Sequence, residues 1–187
     1  DLDSCYKLNK SVLGIKINDE GHASFTFRID DLRPKGLKGD TLFYESFDSC
    51  DGKGGNDGRW GGYIGAGKFK PDHEGWRFAV PEATSAGSRC ALIGTSTKYG
   101  IVESTPLFYV EDGSTISFKA AAWNNEEGSL TVASLNPKVQ LSETRLKLPN
   151  RSWQTFTLTV KGSGLLRLSM RNGQRRFFLD ELLVKRP

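Results

Sequence analysis

The spacing of its chain breakers limits this sequence most. Asp112-Gly113, Glu127-Gly128, Asn136-Pro137, Pro149-Asn150, Gly162-Ser163-Gly164 and Asn172-Gly173 cut the second half into short runs. Within the runs, apolar and polar residues alternate with period 2, and no segment repeats at 3.6. Such a chain cannot bury an amphipathic helix, because no segment has an apolar helical face. It can bury one side of many short strands, so it predicts antiparallel sheets packed as a sandwich or barrel.

Composition agrees. Hydrophobic residues make up 37% of 187, and 21 are Gly, a balance suited to short strands and many turns. Aromatics at 11% argue against a disordered chain. No apolar run is long enough for a membrane-spanning helix. The length suits one domain with a short appendage. Strands are predicted at 41–47, 90–94, 101–110, 114–123, 130–134, 138–141, 153–160, 165–170 and 176–184. Before them, 11–17 and 23–29 alternate around Asn18-Asp19-Glu20-Gly21 and read as a hairpin. The expected organisation is a hairpin and linker over 1–40 and a β-sandwich over 41–187.

The net charge of +4 comes from 26 Lys and Arg against 22 Asp and Glu, scattered along the chain. The densest cluster is Arg171, Arg175 and Arg176. Without a basic stripe or recognition motif, nucleic acid is not the expected partner. Of the three cysteines, Cys50 and Cys90 flank turn-rich stretches. They either close a loop as a disulfide in an oxidising compartment or are buried reduced thiols. No C-x-x-C pair suggests zinc.

Two carboxylates interrupt apolar faces. Glu45 alternates with Phe43 and Phe47, and Asp180 with Phe178, Leu182 and Val184. A core-facing carboxylate must be paired or must bind a cation. If the first and last strands lie side by side, both could serve one structural Ca2+ together with Asp48. The loop Asp48-Ser49-Cys50-Asp51-Gly52-Lys53-Gly54-Gly55-Asn56-Asp57-Gly58 offers further oxygens. A salt bridge to Arg, or exposure at a strand end, would also accommodate them.

The same alternation sorts the sheet faces. In 114–123 the core side is Ile116, Phe118, Ala120 and Ala122, opposite Ser117, Lys119, Ala121 and Trp123. In 165–171 it leaves Arg167, Ser169 and Arg171 outside, and in the 153–160 run Trp153, Thr155, Thr157 and Thr159. Aromatic rings with hydrogen-bond donors suit sugars, whose apolar faces stack and whose hydroxyls accept. The candidate ligand residues are Trp123 and Asn124 with Asn125 and Glu126, then Trp60, Tyr63 and Trp76, with Lys119 and Arg167 as donors. Either group of tryptophans could instead pack under a loop. Catalysis is not expected. The two histidines, His22 and His73, flank no nucleophile motif, and no G-x-S-x-G, phosphate loop or H-E-x-x-H occurs. Asp72 and Glu74 offer only a weak glycosidase pair.

Several segments carry a resemblance. Leu42-Phe43-Tyr44-Glu45-Ser46-Phe47-Asp48, Asp57-Gly58-Arg59-Trp60, Cys90-Ala91-Leu92-Ile93-Gly94-Thr95, Ser117-Phe118-Lys119-Ala120-Ala121-Ala122-Trp123 and Arg176-Phe177-Phe178-Leu179-Asp180-Glu181-Leu182 look like jelly-roll domains. The similar domains belong to secreted and surface proteins of gut Bacteroidetes and are akin to galactose-binding-like carbohydrate-binding modules. The resemblance implies an all-β antiparallel jelly-roll sandwich and a structural calcium at Glu45 and Asp180. It also implies a non-catalytic module, secreted, periplasmic or at the cell surface, that binds glycan. An adhesion or assembly module binding protein is the alternative, and a glycan-processing enzyme a third.

Overall fold

Residues 14–17, 23–26, 40–61, 67–73, 76–78, 84–98, 100–104, 108–124, 128–172 and 176–187 are described by a computed structural model. In chain order the strands are β1 (Gly14–Ile17), β2 (Ala23–Thr26), β3 (Thr41–Glu45), β4 (Trp76–Phe78), β5 (Thr84–Gly87), β6 (Cys90–Ile93), β7 (Ile101–Ser104) and β8 (Phe108–Val110). Then come β9 (Thr115–Ala122), β10 (Gly128–Ser134), β11 (Gln140–Leu141), β12 (Arg145–Leu148), β13 (Gln154–Lys161), β14 (Gly164–Leu166), β15 (Leu168–Asn172) and β16 (Phe177–Lys185). Among the described residues there is no helix.

The fold is an antiparallel β-sandwich. A seven-stranded sheet runs β11-β13-β9-β16-β6-β5, with β3 also paired to β16. A five-stranded sheet runs β12-β10-β15-β7-β4, and β14 pairs with β8. The inward faces meet in one core: Ile116, Phe118, Ala120 and Ala122 of β9 with Phe156, Leu158 and Val160 of β13 from one sheet, Leu130, Val132, Leu168 and Met170 from the other. For β9, β13 and β15 these are the inward positions the alternation assigned, because a strand with one buried side must keep a period of 2. The first and last strands of the sandwich do lie side by side, with Leu182 opposite Glu45 and Val184 opposite Phe43.

Four readings change. The expected 101–110 strand is two, β7 and β8, in different sheets, and the expected 165–170 strand is likewise two, β14 and β15. β4, β5 and β12 are additional; Arg145-Leu146-Lys147-Leu148 alternates cleanly, but it is only four residues long. Within the described residues the hairpin pairs Gly14 to Ile17 with Thr26 to Ala23, and the rest of the expected 11–17 and 23–29 strands lies outside them.

The fourth change decides the site. Asp180 does not share a face with Leu182 and Val184. The register of β16 against β9 slips between Asp180 and Leu183, and Glu181 sits at φ 51°. One left-handed residue in a bulge reverses the alternation. Before it, Phe177 and Leu179 face the main core; after it, Leu182 and Val184 do. Phe178 packs on the opposite surface of the seven-stranded sheet, in a second cluster with Cys90, Leu92, Ala121 and Trp123.

That second cluster is covered by the glycine-rich loop. A Cβ on Gly55, at φ 78°, would lie 2.6 Å from the Cys90 Sγ and 3.3 Å from Phe178. A Cβ on Gly52 would strike the Ala86 carbonyl oxygen. The loop is pinned in this approach by Gly52 N donating to Gly87 O (2.9 Å), Ser88 N to Gly54 O (2.8 Å) and Arg89 N to Cys50 O (3.0 Å). Here the glycines allow main chain to lie directly on the sheet.

Candidate functional site

Glu45 ends β3 on the core side of the seven-stranded sheet and is fully buried. One carboxylate oxygen accepts from Asp72 N (2.6 Å) and Phe47 N (3.3 Å). The other accepts from the Trp76 indole Nε1 (3.1 Å) and His73 N (3.2 Å), with His73 Nδ1 at 3.4 Å. Asp72 returns the clasp, accepting from Ser46 N (2.8 Å) and Ser46 Oγ (2.6 Å). Glu45 is therefore held by main-chain and indole donors, which stabilise a buried carboxylate as a cation would. Its role is to fasten the 72–76 segment to β3. Trp76, expected to stack on a ligand, is one of its donors and packs against Phe47, with ring centroids 5.6 Å apart.

Asp180 lies on the other face, 3% exposed beneath the glycine-rich loop. Asn56 Nδ2 donates to its Oδ2 (3.0 Å) and to Arg89 O (2.9 Å). Asp180 Oδ1 is buried and receives no hydrogen bond among the described residues. Burial pushes this carboxyl up to about 6, against the pull of the Asn56 hydrogen bond; Glu181 pushes it further and Lys119 draws it back. Lys119 stands opposite Asp180 in the β9–β16 register. It is thus Asp180's electrostatic partner, not an isolated ligand donor. Asp48 is elsewhere again, exposed and paired with Arg89 at 2.8 Å. The structure does not bring Glu45, Asp48 and Asp180 together, and among the described residues no three His, Cys, Asp or Glu side chains are grouped to hold a metal.

The two cysteines are free thiols. Cys50 faces the main core, accepting from Lys70 N at 3.5 Å and donating to Lys70 O at 3.6 Å. Cys90 belongs to the second cluster and donates to Gly54 O at 3.6 Å. Sitting in separate clusters, each satisfied by a carbonyl, they do not form the disulfide that their loop positions suggested. Burial raises both thiols, Cys90 to about 12.

Trp60, Trp123 and Trp153 gather around Phe178. Trp123 is buried and stacks on Phe178 at 5.8 Å and 19°, with the Arg176 guanidinium 4.1 Å from its ring centroid. Trp60 meets Trp153 edge-on at 5.6 Å and Phe178 at 5.8 Å. Asn124, at φ 44°, donates from its main chain to Trp60 O (2.7 Å) and accepts from Arg151 Nη2 (2.9 Å) on its side chain. Trp123 is thus taken up in the second core, and Trp60 and Trp153 pack half-buried against it, with Asn124 tying the Trp60 main chain to the end of β9. Tyr63, Asn125 and Glu126 lie outside the described residues.

Two outer surfaces remain open: that of β13, with Thr155, Thr157 and Thr159, and that of the five-stranded sheet, beside which Arg167 lies between β14 and β15. Along β14 and β15 the residues facing out are Leu165, Arg167, Ser169 and Arg171, with Leu166, Leu168 and Met170 buried between them. β10 contributes Ser129, Thr131 and Ala133, and β12 Arg145 and Lys147. The pairing sets them in rows: Lys147 beside Ser129; Arg145, Thr131 and Arg171; Ala133 and Ser169. The last row continues in register to Glu103 and Arg77. Beyond Arg167, Leu135 and Leu165 follow, with Tyr109 directly opposite Leu165. Tyr109, Leu135 and Leu165 are the exposed large hydrophobic side chains among the described residues. The period-2 pattern marked Arg167, Ser169 and Arg171 as outward. Their neighbours across the sheet, such as Thr131 and Arg145, come from strands distant in sequence, and no sequence spacing links them.

No protein-family model matches the chain, and no curated protein sequence matches it. Solved structures do. The chain is similar to the K3 cleaved adhesin domain of Lys-gingipain from Porphyromonas gingivalis W83, with 10% identity over 78% of this chain and 99% of that domain and a TM-score of 0.51. It also aligns with the K1 cleaved adhesin domain of the same protein (14% identity, 80% and 99% covered, TM-score 0.45). A xylan-binding CBM22 domain from Paenibacillus barcinonensis aligns at 13% identity, 80% and 96% covered, TM-score 0.48. At these identities the likeness is one of fold. The class is that of antiparallel β-sandwich domains, a fold shared with the K3 adhesin domain, as the resemblance to surface jelly-roll domains implied.

Proposed function

We propose that this chain is a non-catalytic binding module, secreted or displayed at a cell surface, whose ligand is carbohydrate. The observation that carries the reading is the outer face of the five-stranded sheet. Hydroxyls from Ser129, Thr131 and Ser169 stand in register beside Arg145, Lys147 and Arg171, and Tyr109 is exposed past one end. Preformed rows of donors with one accessible ring suit hydroxyl-rich, weakly apolar ligands. Hydrolysis finds no support in the buried carboxylates. Glycosidases need two carboxyl groups flanking one bond. Glu45 and Asp180 lie on opposite faces of one sheet, each under other chain segments. The test is native affinity electrophoresis of the full chain through gels containing xylan, dextran or charged polysaccharides. Retardation by at least one polymer is expected; free migration of folded protein in all of them would refute it.

The protein-binding alternative draws on the apolar trio Tyr109, Leu135 and Leu165. Three side chains are few for a protein interface, whose buried centre is larger and apolar.

We also propose a structural Ca2+ at Asp180. What supports it is the buried Oδ1 that has no donor, under a loop rich in carbonyls. Glu45 and Asp48 have partners of their own, so the expected three-carboxylate site narrows to Asp180. Thermal unfolding in Ca2+ and in EDTA tests this. The midpoint should rise with Ca2+ in the parent chain and not in Asp180→Asn; no rise in the parent excludes the ion.

A further inference from the structure

The outer face of the five-stranded sheet selects by charge as well as shape, and we infer that its ligand is an anionic polysaccharide, carrying carboxylate or sulfate groups. The inference rests on the carbohydrate reading above and names the ligand class.

The face is divided along its length. At one end, Arg145, Lys147 and Arg171 project from β12 and β15, and Arg145 and Arg171 flank Thr131 in a single row. Arg145, Lys147 and Arg171 are exposed. Arg145 and Lys147 make no ion pair with any described residue. The outward positions of β10, β12 and β15 include no carboxylate. Between the bases stand only small residues, Ser129, Thr131, Ala133 and Ser169. An extended chain could therefore lie flat on the sheet within reach of the guanidinium and ammonium groups. At the other end the bases give way to Arg167, then to Leu135, Leu165 and Tyr109. From Arg171 to Leu165 is about 20 Å along the strands, enough for several sugar units.

Each part does one thing. Guanidinium groups bind carboxylate or sulfate through paired, charge-assisted hydrogen bonds. Seryl and threonyl hydroxyls exchange hydrogen bonds with sugar hydroxyls. Tyr109 with Leu165 gives the apolar face of a ring a place to rest. A carboxylate or sulfate would pair with Arg145 and Lys147, which make no ion pair with a described residue, and a neutral glycan would not. Nucleic acid would demand a denser basic track than three or four side chains, and the chain's excess of +4 is small.

The experiment measures binding of the full chain to polygalacturonate, dextran sulfate, unmodified dextran, neutral xylan and duplex DNA, at low and high salt. The two charged polymers separate carboxylate from sulfate. Binding to at least one of them is expected to exceed that to either neutral polymer and to weaken with salt. Arg145→Gln with Lys147→Gln should lower that affinity about tenfold, as the loss of one or two charge-assisted bonds implies. Tyr109→Ala should lower it severalfold, and Thr157→Asn, on the other sheet, should leave it unchanged. Near-UV circular dichroism verifies that each variant is folded. Equal or tighter binding to neutral xylan or dextran overturns the anionic assignment and leaves the carbohydrate reading standing. No binding to any polysaccharide by folded protein overturns both. Undiminished binding in the double variant, or DNA bound more tightly than every polysaccharide, overturns the assignment to this face and ligand.

Discussion

Asp180 and Leu182, two residues apart on one strand, face opposite sides of the seven-stranded sheet, because Glu181 between them is left-handed. Leu182 faces the main core and Asp180 lies under the glycine-rich loop beside Asn56. A strand without the bulge would place Asp180 in the sandwich interior near Glu45. With it, two buried carboxylates stand among the described residues, each supported by its own loop.

The raised carboxyl of Asp180 makes stability depend on pH. Burial lifts it to about 6, above the 3.8 of a free side chain. The folded state therefore holds a proton the unfolded state has lost between those values. Its contribution is fully present below about 4 and is lost as pH rises through about 6. In EDTA, Asp180→Asn should flatten this decline relative to the parent chain. Urea midpoints at a series of pH values between 4 and 7 measure it. Parallel curves for the two proteins would show that Asp180 titrates normally.

Glu45→Gln keeps the shape of the side chain but places an amide donor against donors. Asp72 N, His73 N, Phe47 N and the Trp76 indole all point at this group. The loss should be about 2–3 kcal/mol, the cost of a buried mismatch. Trp76→Phe removes one donor only and should lose about 1–2 kcal/mol from the missing bond and smaller ring. Chemical denaturation of both variants gives the comparison, and a Glu45→Gln chain as stable as the parent would contradict the clasp.

Gly55→Ala should destabilise by about 2–4 kcal/mol, combining a left-handed penalty with an overpacked contact. Its new methyl would meet the Cys90 sulfur at 2.6 Å and Trp153 at 3.1 Å. Gly58→Ala shares the φ of 78° but meets nothing within 4 Å, so it should lose only the backbone part. The difference between the two midpoints isolates the packing of the loop on the sheet.

Reducing agent should not change the melting temperature through Cys50 or Cys90, since both are free. In the native protein at pH 8, alkylation mapped by mass spectrometry should spare both, because burial raises the thiols and keeps reagent out. Rapid labelling of either without unfolding, or recovery of a linked Cys50–Cys90 peptide, would contradict their placement.

The sequence by itself determined the longer strands and which side of β9, β13 and β15 is buried, though not β4, β5 or β12. Ile116, Phe118 and Ala120, or Leu166, Leu168 and Met170, alternate over distances a strand enforces locally, and one buried face gives the pattern its meaning. It also identified Glu45 and Asp180 as carboxylates in need of partners. Tertiary structure alone decided what those partners are. Asp72, His73 and Trp76 reach Glu45 across 27 to 31 residues, and Asn56 reaches Asp180 across 124. Trp123, which looked ready for a ligand, joined a second core with Trp60 half-buried against it, because a glycine-rich loop could lie close on that side of the sheet. The open face formed only when β10, β12, β14 and β15 came into register. Local alternation records which way a side chain faces; what it faces depends on strand pairing and on where a single bulge reverses the count.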